Sequence, residues 1–268
     1  MIVGCCKYDE EIVQFLINHS NRDISIMSYR NYINLTEKQL DKPIYRIMSI
    51  ERLKQVLRDR EISLVKPKKW DDPFENALLK SSFSMSSGEK TSFLAKDSVY
   101  GQCWTFNRET DAMWRIYSYD IDGVRVTSTP RKLWNALKNS DPKYANIRAF
   151  IGKVTYLKKT SLLTRLGQID ILNSNGSGIA ESLLFKRNEF RHEAEVRLIY
   201  CGSDGNCSSD YYQVPIDPNL LFDKIFFDPR MDLASYKSEK TLIKKLGYKG
   251  LINKSALYRA PEGLIFRL

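Results

Sequence analysis

The chain has 268 residues, of which 43% are hydrophobic and 12% aromatic, so a packed core is expected and global disorder is not. Lysine and arginine number 42 against 32 aspartate and glutamate, which gives a net charge of +10. Such a charge favours phosphate-bearing partners or a solvated basic surface. Five irregularly spaced cysteines and two histidines argue against a disulfide scaffold or a zinc site. With no signal-peptide pattern and no apolar run of roughly 20 residues, we expect a cytoplasmic protein without a membrane span.

The periodicity of apolar residues predicts a helical extension over residues 1–42 and a single α+β domain over 43–268. Irregular succession of strands and helices favours central mixed or antiparallel sheets over a doubly wound fold. The predicted strands are 43–48, 62–65, 99–107, 123–128, 150–157, 195–200 and 223–229. Two of the predicted helices follow the caps Ser49 and Thr129, and the others cover 108–120, 160–172, 179–190 and 237–247.

Two polar stretches lie in the first half of this domain. Arg46 follows Tyr45 inside an apolar strand, where it either binds a phosphate or carboxylate or points to solvent. The turn WDDPFE at 70–75 brings three carboxylates together. These carboxylates either hold a cation, fix basic side chains or cap the next helix.

Two further stretches combine aromatic or charged residues near strand ends. Trp104 and Thr105, with Trp114 downstream, suit a flat ring ligand, although ordinary core packing accounts for most large aromatic residues. Glu193 and Glu195 lie two positions apart at the start of a strand, so we expect them on one face. Their repulsion raises one pKa, which suits a general base, unless Arg187, Arg191 or Arg197 pairs with them in a structural ion network.

The order of these motifs resembles a bacterial family, domain of unknown function twenty-nine seventy-one. The resemblance covers about Tyr45 to Arg230 and implies no biochemical activity. Thr105 stands where that family usually has serine. The motifs that carry it are YR, WDDPFE, CWTFN, MW-x-x-YS, FKRNEF-x-x-EAEVRLIY and FFDPR.

The motif order is also similar, more loosely, to mono-ADP-ribosyltransferases of the Arg–Ser–Glu type. That resemblance implies NAD as the substrate and an ADP-ribosyltransferase-like fold. Arg46 would bind the phosphates and Thr105 would support the site, while Thr127-Ser128-Thr129 is the alternative to Thr105. Glu195 would stabilise the sugar as nicotinamide leaves, and Glu193 would orient the acceptor. The expected NAD-binding residues are Tyr45, Arg46, Trp104, Trp114 and Tyr117.

Three functions remain open at this stage. The first is an NAD-consuming toxin or phage-defence effector with a nucleic-acid or protein acceptor. The second is a basic nucleic-acid-binding protein or nuclease, in which Asp71, Asp72 and Glu75 hold Mg²⁺. The third is a non-catalytic partner subunit encoded in a defence operon. For the NAD-consuming enzyme, no bound metal is expected.

Overall fold

The structure is a computed structural model that describes residues 31–84, 90–92, 97–143, 145–170, 176–202, 209–261 and 263. Predictions for residues 1–30, including most of the helical extension and Cys5, Cys6 and His19, lie outside the described residues. No helix in the described ranges is long and apolar enough to cross a membrane.

Helices and strands are interspersed along the chain. The strands are β1 (Tyr32–Ile33), β2 (Ile44–Ser49), β3 (Glu61–Val65), β4 (Ser82–Ser84), β5 (Lys90–Ser92), β6 (Val99–Thr105), β7 (Gly123–Ser128), β8 (Ala149–Lys153), β9 (Thr155–Leu157), β10 (Phe185–Arg187), β11 (Glu195–Cys201), β12 (Tyr211–Pro215), β13 (Lys224–Phe227) and β14 (Leu251–Lys254). The α-helices are α1 (Glu37–Leu40), α2 (Ile50–Asp59), α3 (Ala77–Lys80), α4 (Asp111–Tyr117), α5 (Pro130–Ser140), α6 (Ala145–Arg148), α7 (Lys159–Leu166), α8 (Ser177–Ser182), α9 (Pro218–Leu221) and α10 (Leu233–Lys245). Short 3₁₀ turns cover Pro67–Lys69 and Asn188–Glu193.

The described residues divide into two compact units. Unit 1 comprises those within Met1–Ile44, Ile62–Phe106 and Thr129–Pro215, and unit 2 those within Tyr45–Glu61, Asn107–Ser128 and Ile216–Leu268. The single domain predicted for 43–268 and its boundary with the extension stay predictions. Each unit contains parallel and antiparallel strand pairs, so the predicted α+β class with mixed sheets is confirmed.

The sheet of unit 1 has the strand order β1-β8-β11-β6, with β3 pairing both β6 and β12. β11 runs antiparallel to β6 and to β8, so it is covered on both edges. Gly152 of β8 lies opposite Arg197 of β11, and a Cβ there would approach Leu184 to 2.2 Å. A side chain at position 152 would therefore displace Leu184, which packs closely on the sheet. Two parallel strands, β9 and β10, form a separate small sheet.

The sheet of unit 2 has the order β2-β7-β13-β14. Its helix α2 begins as predicted, because the Ser49 hydroxyl accepts a hydrogen bond from the Arg52 amide at 3.2 Å. All of β7 is buried, although the alternation of GVRVTS predicts a strand with one solvent face. That prediction is wrong because Arg125, on the apparently polar face, lies between the rings of Tyr45 and Phe226.

The helix predicted over 179–190 is confirmed only as far as Ser182, and its continuation to residue 190 is wrong. The chain instead forms α8, the strand β10 and a 3₁₀ turn in succession. Phe185 packs with Leu162 and Leu166 of α7, and Lys186 reaches buried carboxylates. Tertiary pairing thus overrides a local helical pattern in this segment.

Candidate functional site

A buried ion cluster in unit 1 surrounds the side chain of Lys186, in β10. Its ammonium donates to Glu195 at 2.6 Å, to Glu75 at 2.7 Å and to Glu193. A lysine ammonium has three donors, so this set satisfies it completely. The ring of Phe190 lies 4.6 Å from the same nitrogen. Lys186 therefore holds three carboxyl groups from three separate segments at one point.

Arg197, in β11, is the second cation of this cluster and its side chain is fully buried. Its Nε donates to Glu195 at 2.6 Å, and one Nη donates to Glu75 at 2.9 Å. The other Nη donates to the Leu183 carbonyl at 2.6 Å. The guanidinium also lies 4.5 Å from the ring of Trp70. These contacts satisfy each nitrogen of a charge that would otherwise be costly to bury.

Ala194 sets the direction of the two predicted glutamates. Its φ is 44°, in the left-handed region that non-glycine residues rarely adopt. Glu193 ends the 3₁₀ turn and Glu195 begins β11, so only Glu195 belongs to a strand. The glutamates reach one cation, Lys186, and they do so through this turn rather than through the strand alternation that predicted a shared face.

Thr105 lies directly across the sheet from Glu195. The two residues are paired in the antiparallel register of β6 and β11, so their side chains share a face. The Thr105 hydroxyl donates to the main-chain carbonyl of Glu193, and the Glu195 amide donates to the Tyr156 hydroxyl at 2.8 Å. The structure therefore brings three of the predicted catalytic residues, Glu193, Glu195 and Thr105, to one place.

The two glutamates have pKa values that move in opposite directions. Burial, together with the neighbouring Glu195 carboxylate, raises the pKa of Glu193 to about 8. Burial acts in the same direction on Glu195, but three other groups outweigh it: Arg197, the protonated carboxyl of Glu193, and Lys186. Together they hold the pKa of Glu195 well below its usual range. The cluster contains three carboxyl groups and two cations, so a proton on Glu193 makes it neutral. Glu193 is also the more accessible, with 16% of its side chain exposed against 8% for Glu195.

The WDDPFE turn contributes to this cluster rather than offering free carboxylates. Asp72 forms a two-point ion pair with Arg187, at 3.1 and 3.3 Å. Glu75 bonds both cations of the cluster. The alternative in which the turn fixes basic side chains is thus observed for Asp72 and Glu75. No group of three or more metal-binding side chains suitable for an ion occurs in the described part of the chain.

Four of the predicted NAD-binding residues belong to unit 2. Tyr45 and Arg46 lie in β2 and are half-buried, and Tyr117 ends α4 with 48% of its surface exposed. Trp114 of α4 is fully buried and donates its indole NH to Glu109 at 3.1 Å. Contact of Trp114 with a ring ligand would require a conformational change, and the ligand-binding roles of all four residues stay predictions.

Trp104, the fifth of the predicted NAD-binding residues, lies in unit 1. It is 2% exposed and donates its indole NH to Gln102 at 2.7 Å. Because it alternates with Thr105 along β6, it points to the opposite face of the sheet from the glutamates. A stacking role for Trp104 therefore receives no geometric support.

The cluster includes three residues that the sequence motifs named without their roles. The sequence motifs do not pair Lys186 with the glutamates, although a lysine at a buried strand position indicates a buried anion. Arg197 appeared only as one of three alternative arginine partners. Glu75 was grouped with the carboxylates of its own turn. Only the tertiary fold reveals that β10, β11 and this turn meet.

The chain was compared with known proteins in three ways. No protein-family model matches it, and no curated protein matches it. The resemblance to the domain of unknown function therefore stays a prediction. The solved structures that are similar include DarT of Thermus sp. 2.9 in complex with NAD⁺, with 13% identity and a TM-score of 0.37 over 80% of this chain and 95% of that one.

Two further DarT structures from the same organism are similar at the same level. The complex with ADP-ribosylated single-stranded DNA is 14% identical with a TM-score of 0.37, and covers 80% of this chain and 94% of that chain. The complex with carba-NAD⁺ is 13% identical with a TM-score of 0.37, and covers 82% and 97%. No residue role and no activity follow from a similarity at this level.

Proposed function

We propose that this protein is an NAD-consuming enzyme of the ADP-ribosyltransferase-like type, which cleaves the bond between nicotinamide and ribose. One observation supports the proposal most directly. Glu193 and Glu195 are adjacent carboxyl groups whose environments push their pKa values apart, and Glu195 lies opposite Thr105 in the sheet. Such divergence is typical of carboxyl pairs that divide acid–base and electrostatic roles.

Glu195 supplies the fixed negative charge in this mechanism. Arg197 and Lys186 keep it ionised and fix both of its oxygens. Loss of nicotinamide takes the electron pair of the glycosidic bond and leaves positive charge on the ribose. An ionised carboxylate that is already oriented stabilises that charge without reorganising in the transition state.

Glu193 acts on the acceptor. In its ionised form it removes the proton of an attacking hydroxyl or amine, while the acceptor oxygen or nitrogen forms the new bond to the ribose carbon. Its pKa of about 8 places proton transfer near neutral pH, where a general base is most effective. With water as the acceptor, the same residues give NAD hydrolysis.

The biological role is the finer part of the proposal. A toxin or phage-defence effector that consumes NAD fits the sequence resemblance, with a nucleic acid or a protein as acceptor. The net charge of +10 favours a nucleic acid. A partner from a defence operon and a cytoplasmic location stay predictions, as does phosphate binding by Arg46.

The decisive test measures NAD⁺ binding by calorimetry and nicotinamide release in the wild type and three variants. Glu195→Gln should lower the release rate at least about a hundredfold with NAD⁺ still bound, because it removes the charge that stabilises the sugar. Glu193→Gln should slow transfer while keeping the fold, since glutamine resembles the protonated form present at neutral pH. Arg46→Ala should weaken binding if Arg46 holds the phosphates.

Glu181→Gln is the matched control, because Glu181 belongs to the same unit and pairs only loosely with Arg165 at 3.8 Å. Melting temperatures of all variants separate lost chemistry from lost folding. Normal nicotinamide release by folded Glu195→Gln would remove its proposed role. No NAD⁺ binding to the wild type would reject the enzyme and leave the nucleic-acid-binding and partner-subunit alternatives, which a salt series with DNA and RNA tells apart.

A further inference from the structure

A second cleft, within unit 2, has a different composition from the glutamate cluster. It encloses about 460 Å³, which is within the range of small-ligand sites. Its walls come from β13, β14 and α10, from the segment before α4 and from the segment after β14. The lining residues are Arg108, Glu109, Phe226, Leu233, Tyr236, Asn253, Lys254, Ala256 and Arg259.

The cleft carries an excess of positive charge. Arg108 and Arg259 are exposed and Lys254 is half-buried, and none of the three has a carboxylate partner in the described ranges. Arg131 of unit 1, by contrast, is paired with Asp41 at 2.8 Å and also contacts Glu37. Three uncompensated cations around one concavity repel one another, so an anion between them would be stabilised.

The carboxylate in the lining, Glu109, is already neutralised. It accepts hydrogen bonds from Arg125 at 3.0 Å, from the Trp114 indole at 3.1 Å and from the Ser255 hydroxyl at 2.7 Å. These donors hold it against the protein interior. Glu109 therefore does not offset the charge of the three cations at the mouth of the cleft.

Arg125 adds a buried cation behind this wall. It is 2% exposed, and its Nε has no hydrogen-bond partner among the residues that the structure describes. Its guanidinium lies 4.8 Å from the ring of Phe226, which lines the cleft, and another nitrogen donates to the Arg108 carbonyl at 2.7 Å. Glu109 balances the charge of Arg125, so what Arg125 adds to the wall of the cleft is a buried donor, its Nε, which is unpartnered within the described part of the chain.

We propose that this cleft binds the phosphate groups of a nucleoside phosphate, with Arg108, Lys254 and Arg259 as the phosphate ligands. Phe226 and Tyr236 line the same cleft and supply aromatic rings on which a base can stack. Two sources share this chemistry, a free nucleotide and the end of a nucleic-acid strand. The proposal does not depend on NAD cleavage, because every residue that carries it lies outside the glutamate cluster.

The test titrates pyrophosphate, ADP and a short single-stranded oligonucleotide separately into the full chain, with NAD⁺ omitted. The double variant Arg108→Ala/Arg259→Ala should weaken binding about a hundredfold, because each of the two lost charge-assisted hydrogen bonds accounts for about tenfold. The control double variant Arg58→Ala/Arg115→Ala removes the same charge from exposed positions of the same unit, outside the cleft lining. It should bind within about twofold of the wild type.

The indole NH of Trp114 reports the location of binding, since it donates to Glu109 in the cleft wall. Its NMR signal, assigned with Trp114→Phe, should shift on addition of the ligand, while the signals of Trp70, Trp104 and Trp134 stay in place. Binding of pyrophosphate and ADP identifies a free nucleotide, and binding of the oligonucleotide alone identifies a strand. The proposal is overturned if none of the probes binds, if both double variants lose affinity equally, or if the Trp114 signal does not move.

Discussion

Each unit buries a carboxylate beside an arginine, but the two environments differ in their balance of charge. In unit 2, Asp228 is completely buried and accepts four hydrogen bonds, three from Arg230 and one from the Ser118 hydroxyl at 2.6 Å. The single negative charge of Asp228 is thus balanced by the single positive charge of Arg230. In unit 1, Lys186 and Arg197 face three carboxyl groups, so one acid is in excess.

The difference in balance explains the difference in pKa. Burial alone would raise the pKa of Asp228, but Arg230 and Ser118 outweigh it, and the pKa is lowered. In unit 1 the surplus carboxyl, Glu193, cannot be stabilised as an anion without leaving the cluster negative, and its pKa is raised. A balanced pair fixes a fold, whereas an unbalanced cluster holds a titratable proton near neutral pH.

Removal of Lys186, the central cation of the cluster, should produce the largest loss of stability. Lys186→Met leaves three carboxyl groups with one arginine, and we expect the free energy of unfolding to fall by about 3–5 kcal/mol. Arg230→Met should cost less, because Arg230 is partly exposed and Asp228 keeps the Ser118 hydroxyl. Urea denaturation measures both. A loss for Lys186→Met that is no larger than for Arg230→Met would break the distinction between the two environments.

The pH dependence of stability should distinguish Glu193 from Asp228 by its sign. Glu193 has a pKa of about 8 in the folded protein against 4.5 normally, so the folded state binds the extra proton between these values. Its contribution to stability is complete below pH 4.5 and is lost as the pH rises to about 8. Asp228 behaves oppositely, because its lowered pKa gives stability that is lost as the pH falls through the folded value.

The matched variants are Glu193→Gln and Asp228→Asn, with the free energy of unfolding measured across both pH ranges. Glu193→Gln should flatten the decline towards alkaline pH and leave the acid side unchanged. Asp228→Asn should flatten only the acid side. An alkaline decline that persists in Glu193→Gln would show that another group holds the proton.

Substitution of Gly101, where the main chain lies close to the ring of Trp70, should reduce stability moderately. A Cβ on Gly101 would lie 2.6 Å from the ring of Trp70, which packs under the Arg197 guanidinium. Gly101→Ala should therefore destabilise unit 1 by about 1–3 kcal/mol through displacement of that ring. In Gly167→Ala the nearest atom lies at 3.6 Å and the backbone is helical, so this variant is the control and should be neutral or slightly stabilising. Equal thermal shifts for the two variants would contradict this explanation.

Local patterns predicted most of the elements that frame the candidate site. The strand at 195–200, the strand at 99–107 and the N-caps Ser49 and Thr129 all follow from side-chain periodicity and capping chemistry. The convergence of Glu193 and Glu195 was predicted as well.

The partners of those glutamates could not be predicted in the same way. Lys186 reaches them because β10 pairs with β9, a contact about thirty residues away in sequence that no local pattern encodes. The burial of Arg125 likewise depends on rings from β2 and β13. Charge patterns along a chain identify candidate ions, but their pairing is decided by the fold.

The smallest predicted effect concerns two residues held in the left-handed backbone region, one in each unit. Ala194 has a φ of 44° and orients the glutamates, while Ile121 has a φ of 61° in the turn before β7. A β-branched side chain is strained most in this region, so Ile121→Gly should stabilise the protein by about 1 kcal/mol and Ala194→Gly by about half as much. Thermal unfolding measures both shifts. If Ala194→Gly is instead destabilising and also lowers the pKa of Glu193, the alanine holds the 3₁₀ turn in the geometry that brings Glu193 to Lys186, and strain at this residue is part of the site.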